Sequence, residues 1–105
     1  MIKVSIFYPK KPGSRFDFDY YLKVHMPRAA ELLSPAARQV SVEIGVAGAT
    51  SEAPPAFWAI AGFTCDSVEA FTRAFLPHAA ELQGDIPNYT DIEAVIQISE
   101  LREFR

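Results

Sequence analysis

The 105 residues carry 10 Lys and Arg against 13 Asp and Glu, a formal net charge of -3, with 50% of the chain hydrophobic and 22% charged. Such a chain makes one domain, residues 1–105; its composition excludes disorder, its interspersed charges exclude the positive field that nucleic acid demands, and no apolar run reaches the ~20 residues that span a bilayer. The 8 Phe, 4 Tyr and 1 Trp are nevertheless more apolar material than a small monomer hides, since a domain of this size buries only about 60–70% of its unfolded surface.

Ile2, Val4, Ile6 and Tyr8 alternate with Lys3, Ser5 and Phe7, which predicts a strand closed by Pro9 and the turn Lys11-Pro12-Gly13. The apolar stretch is too short for a signal peptide, and the single Cys65 cannot make an internal disulfide, so the cytoplasm is the expected compartment. A helix is expected from Phe18 to about Leu33, with Asp17 as N-cap and Phe16 stapled against Tyr21. Phe18, Tyr21, Leu22, His25, Ala29, Leu32 and Leu33 share one helical face, and Ser34-Pro35 ends the element.

A second strand is read over about Arg38 to Val46, then a Gly, Ala, Ser and Pro-rich turn. The third strand, Ala56 to Cys65, is apolar on both faces, with Phe57, Ala59, Ala61 and Phe63 on one and Trp58 and Ile60 on the other, which makes it central. Asp66-Ser67-Val68-Glu69 resembles a capping box with an acidic cap and opens a second helix along Val68, Phe71, Phe75, Ala79 and Leu82, stopped by Gly84. A fourth strand follows from Asp91 to about Leu101, with Ile92, Ala94, Ile96 and Ile98 on one side.

The order β-α-β-β-α-β is that of an α+β, ferredoxin-like fold: a four-stranded antiparallel sheet with both helices on one face. The other face has no cover within the chain. Trp58, Ile60, Phe7 and Val95 are expected there, so a homodimer through the sheet faces follows from their apolar character.

The only two histidines each sit in a helix beside a proline, as His25-Met26-Pro27 and Pro77-His78. An internal proline removes a backbone hydrogen bond at about 3 kcal/mol or more. A kink freeing the Lys23 and Arg73 carbonyls is therefore expected at each, with a cavity opened between helices and sheet. Two roles suit His25 on its apolar face: a structural imidazole bonded to a tyrosine or a freed carbonyl, or a general acid or base with Tyr20, Tyr21 or Tyr89 as neighbouring hydroxyl. His78, nearer the edge of its stripe, suits a solvated or capping role and is a second candidate.

No paired histidines, CxxC or HExxH are present, which argues against a structural metal. No Gly-rich phosphate loop or G-x-S-x-G elbow is present either. Cys65 is either a buried filler or a thiol whose acidity a helix N-terminus enhances. The aromatic residues are core by ordinary expectation, with some lining a pocket for an apolar ligand.

Tyr20-Tyr21-Leu22-Lys23-Val24-His25-Met26-Pro27, after the strand ending in Phe7-Tyr8-Pro9, resembles the EthD family of the dimeric α/β-barrel superfamily. The likeness continues through Phe75-Leu76-Pro77-His78-Ala79-Ala80-Glu81 and Asp85-Ile86-Pro87-Asn88-Tyr89-Thr90-Asp91 to Ile96-Gln97-Ile98-Ser99-Glu100. It implies a subunit whose sheet stacks on that of a second copy, and a pocket between sheet and helices. The family is named for a protein encoded with an ether-degrading cytochrome P450 system, so the resemblance implies an oxygenase system as a partner. Relatives in the superfamily include cofactor-independent oxygenases, cyclases, isomerases and haem-using enzymes, among which the fold does not choose.

The expectation is a small cytoplasmic homodimer that takes an apolar or aromatic small molecule. In it His25 moves the proton, His78 is a second acid, Tyr21, Tyr20, Tyr89 and Asn88 orient the substrate, and Trp58 and Phe75 line the pocket. No cofactor is expected, with haem the exception that leaves no sequence signature. The alternative is a non-catalytic accessory or ligand-binding protein for an oxygenase system.

Overall fold

The computed structural model describes residues 1–105 and builds them into one four-stranded antiparallel sheet. The strands are β1 (Ile2–Pro9), β2 (Gln39–Ile44), β3 (Phe57–Cys65) and β4 (Val95–Glu100), in the order β2-β3-β1-β4. Between β1 and β2 run α1 (Phe18–Tyr20), a π-helical segment Tyr21–His25 and α2 (Met26–Leu33). Between β3 and β4 run α3 (Val68–Phe75), a 3-10 turn Leu76–His78, α4 (Ala79–Asp85) and a second 3-10 turn Ile86–Asn88. This is the ferredoxin-like arrangement. Its extents of 39 × 36 × 20 Å leave room for one helical layer on one side of one sheet.

The pleat divides the residues as alternation requires. Val4, Ile6 and Tyr8 lie opposite Phe63, Ala61 and Ala59, and these helix-side positions carry most of the core, with Tyr21, Ala29, Leu33, Leu82, Tyr89 and Ile92 packed from above. On the reverse face Phe7 lies opposite both Ile60 and Val95, while Lys3, Ser5, Ser41, Gln97 and Ser99 make the rest polar.

Trp58 departs from the expected face. Tyr8 pairs with Ala59 but Pro9 pairs with Phe57, so Trp58 is the extra residue of a β-bulge. The bulge turns Phe57 to the reverse face, 5.4 Å from the Phe7 ring, and turns Trp58 to the helices, 6.3 Å from Phe16 and 6.1 Å from Phe18. The uncovered apolar patch is therefore Phe7, Phe57, Ile60 and Val95 at one end of an otherwise polar face.

The start of the first helix is as its residues dictate. Asp17 accepts from the Tyr20 amide at 3.1 Å, and Phe16 meets Tyr21 at 4.9 Å, the staple geometry. The second helix starts differently: Ser67 caps it by accepting from the Ala70 amide at 3.1 Å, because Asp66 is held by Arg38 at 2.7 Å. Gly84 does not end α4, which runs on to Asp85. Residues 91–94 precede β4 rather than belong to it. No helix is long and apolar enough to cross a membrane.

Candidate functional site

Both helical prolines are absorbed by a change of helical register rather than a free kink. The Met26 amide donates to the Tyr21 carbonyl five residues back, closing the π segment, and Pro27 then falls in the first turn of α2, where its missing N–H has no partner to lose. Pro77 falls likewise in the first turn of the Leu76–His78 3-10 segment. The wider π turn brings Tyr21 and His25 both inward, 0% and 7% exposed, with their rings parallel within 13° and 5.8 Å apart. It also turns Leu22, expected on the buried face, out to solvent at 41% exposure.

Around His25 four segments converge on one chain of hydrogen bonds. Its Nδ1 lies 2.9 Å from Asp85 Oδ2 at the end of α4, and its Nε2 lies 3.3 Å from the Tyr89 hydroxyl. The Tyr89 hydroxyl is in turn 2.7 Å from that of Tyr8 on β1. Asp85 is fixed by the Tyr20 hydroxyl, which donates to Oδ1 at 2.5 Å, and by Asn88 Nδ2, which donates to the same oxygen at 2.9 Å. Partial burial works to raise the Asp85 pKa, but the bonds from Tyr20, Asn88 and His25 outweigh it and hold the carboxyl below its usual range. A carboxylate accepts only, so His25 Nδ1 is the donor and a neutral ring keeps its lone pair on Nε2, towards Tyr89.

The phenols are set the other way. Burial pushes Tyr8 above the ordinary tyrosine value despite the bond to Tyr89, and burial with the neighbouring Tyr8 raises both Tyr21 and Tyr89 further. The Tyr21 hydroxyl is buried without any hydrogen-bond partner, a cost of about 1–3 kcal/mol unless something supplies one.

Beside this chain lies a cavity of about 70 Å³ between sheet and helices, lined among others by Tyr8, His25, Met26, Phe63, Phe75 and Ile96. At about 10–15 Å³ per water-sized group, it holds about five to seven such groups, the size of one ring, with the remainder of a ligand at the rim. Gln83 and Ile96, both exposed, mark its rim. Beyond Leu82, which also lines this cavity, a more open groove of about 310 Å³ exposes Asp85 and Asn88.

Of the residues read from sequence, the fold brings together His25, Tyr20, Tyr21, Tyr89 and Asn88, and puts Phe75 on the cavity wall. His78 and Trp58 lie elsewhere. His78 is half-buried beside Pro77 and Arg73 in a separate groove, because it follows its proline and starts a new helix. Trp58 is directed by the bulge against Phe16 and Phe18, donates from Nε1 to Ser14 Oγ at 3.0 Å and carries Lys10 Nζ 4.6 Å above its ring. Cys65 is fully buried, and burial pushes its thiol up, which suits the filler role.

Asp85 and Tyr8 were not among the expected site residues. Tyr8 reads as an ordinary strand residue. Asp85 does carry a signal, since an acidic side chain in the last turn of a helix opposes the macrodipole and calls for another reason to be there.

A model of the EthD domain matches residues 13–93. An EthD-like protein from Ralstonia eutropha JMP134, solved as a crystal structure, is 50% identical and superposes with a TM-score of 0.92, over 99% of this chain and 94% of that one. This chain belongs to the EthD family. An ethyl tert-butyl ether (EthD) family protein from Bacillus halodurans C-125 is similar at 19% identity and a TM-score of 0.76, over 97% of this chain and 99% of that one. HapK from Hahella chejuensis is similar at 15% identity and a TM-score of 0.56, over 98% and 96%; these last two likenesses speak for the fold alone. A search of curated protein sequences gives no significant match.

Proposed function

We propose that the chain binds an apolar or aromatic small molecule in the cavity between sheet and helices and moves a proton on it with His25 as the base. The observation that carries this reading is a buried imidazole, 7% exposed on an otherwise apolar cavity wall, oriented by a carboxylate at 2.9 Å. A base with hydroxyl donors around it suits isomerisation, cyclisation, elimination or oxidation of an activated substrate, since together they stabilise an enolate-like state. Tyr21, whose ring stacks on that of His25 at 5.8 Å but which is fully buried and does not line the cavity, is proposed to hold the imidazole in place rather than to touch the ligand.

The chemistry is proposed to need no cofactor. Haem is a poor fit, because both His25 ring nitrogens already have partners and the cavity of about 70 Å³ is far smaller than a porphyrin. A homodimer is proposed through the reverse sheet face, where Phe7, Phe57, Ile60 and Val95 have no cover; a solution mass of one chain would contradict it. The accessory or ligand-binding reading draws support from the same engaged nitrogens, which leave His25 no free lone pair for a ligand.

The ligand is to be found by mass spectrometry of what co-purifies. With it in hand, His25→Gln is expected to lower turnover by about 10²–10⁴-fold. Unchanged turnover sinks the catalytic reading and leaves the binding one.

A further inference from the structure

With both ring nitrogens engaged, His25 cannot take a proton from a ligand by direct contact. Its Nε2 faces Tyr89, and it is Tyr8, one bond further along, that lines the cavity together with the ring of His25. Tyr89 and Asp85 do not line the cavity, while Asp85 lies on the open groove on the far side of Leu82. The chain Tyr8, Tyr89, His25, Asp85 thus runs from the apolar cavity to a solvent-facing groove, with successive contacts of 2.7, 3.3 and 2.9 Å.

The direction of every bond in it follows from its carboxylate end. Asp85 accepts from Nδ1–H, so Nε2 accepts from the Tyr89 hydroxyl, and the Tyr89 oxygen accepts from the Tyr8 hydroxyl. The Tyr8 oxygen is left with a lone pair and no donor of its own. That is the chain's vacant acceptor. Raising the phenol pKa values by burial serves the same end, because neither tyrosine rests as a phenolate that would trap the proton.

We propose that Tyr8 is the catalytic residue that touches the ligand's acidic hydrogen, and that Tyr89 relays the proton to His25, which Asp85 positions. The proposal rests on the reading that the cavity admits a proton-donating ligand. In the step, the ligand X–H bond breaks and its hydrogen forms an O–H bond to Tyr8, whose own hydrogen passes to the Tyr89 oxygen. The hydrogen of Tyr89 passes to His25 Nε2. The ligand is left as its anion, and the positive charge rests on an imidazolium paired with the Asp85 carboxylate. Both tyrosines end neutral. The ligand class implied is a neutral, weakly acidic molecule, a phenol or an enolisable ketone, because no Lys or Arg lines the cavity to hold a carboxylate or phosphate.

The test uses 4-nitrophenol, a weak acid whose absorbance distinguishes phenol from phenolate, added to the purified full chain at a pH where the free probe is mostly protonated. Wild type is expected to bind it and to show the phenolate band. Tyr8→Phe and Tyr89→Phe are expected to keep binding, through the apolar walls, and to lose the band, as is His25→Gln; circular dichroism checks that each variant is folded, and either tyrosine variant alone suffices. A Tyr8→Phe protein that keeps the band while His25→Gln loses it overturns the relay and leaves His25 as a direct base. A band retained in His25→Gln overturns the relay and the base reading together. Absence of probe binding to wild type removes Tyr8 as a cavity-facing acceptor and so contradicts the proposal.

Discussion

The two helical stretches of this molecule carry the same pair of residues in opposite order, and the order decides what each histidine does. In His25-Met26-Pro27 the histidine precedes the proline, and the chain accommodates Pro27 by widening the turn before it into a π segment, which swings His25 inward to 7% exposure. In Pro77-His78 the proline comes first and lies in a tight 3-10 turn, after which His78 caps the next helix half-buried, without a side-chain partner at that cap. A proline costs a helix one donor wherever it stands. Whether the adjustment builds a site depends on which side of it the functional group lies.

The largest effect that breaks this symmetry is in catalysis. His25→Gln is expected to cost about 10²–10⁴-fold in turnover of the co-purified ligand, and His78→Gln to leave it within experimental error. Equal losses would place both histidines at one site, against the geometry.

The next effect is in stability against alkali, and it belongs only to the first region. Tyr8, Tyr21 and Tyr89 have folded pKa values raised above the ordinary value of 10.0. A group with a raised folded pKa contributes its full stability below the unfolded value and loses it as pH rises towards the folded one, because the unfolded chain then releases protons that the folded chain retains. Above about pH 10 the three together should lower unfolding free energy by up to about 4 kcal/mol per pH unit. Denaturant melts across that range check the slope, and a flat profile would show that the phenols ionise in place. Asp85 acts in the opposite sense: its folded pKa lies below its ordinary value of 3.8, so its contribution is present above that value and fades as pH falls through the folded one.

A smaller effect separates structure from function at Tyr21. Its hydroxyl is buried without a partner, so Tyr21→Phe should stabilise the protein by about 1 kcal/mol or more while leaving ligand affinity unchanged, since Tyr21 does not line the cavity. A variant less stable than wild type would mean that the hydroxyl has a partner already, such as an internal water.

Much of this was legible in the sequence where the deciding residues are neighbours. The Asp17 cap, the Phe16 staple against Tyr21, the alternation of Ile2 to Tyr8 and the inward placement of His25 depend on spacings within a turn or two. What was not legible depends on contacts between distant segments. Asp85 and His25 stand 60 residues apart and Tyr8 and Tyr89 stand 81 apart, so no local pattern joins them. The bulge opposite Tyr8 and Pro9 shifts a period of two by one residue, which reverses the faces of Phe57 and Trp58 without a mark in the alternation itself. Likewise Asp66 reads locally as a cap, but Arg38, just before β2, holds its carboxylate.

The central claim is that His25 is held by Asp85 with its Nε2 lone pair engaged by Tyr89 and so directed along the tyrosines towards the cavity. Nitrogen NMR of the imidazole, at a pH where the ring is neutral, tests this without knowledge of any ligand. The account predicts the tautomer protonated on Nδ1 with a bare Nε2, converted to the other form or to a mixture by Asp85→Asn, while His78 is unaffected. A neutral His25 in the wild type that carries its proton on Nε2 would contradict it.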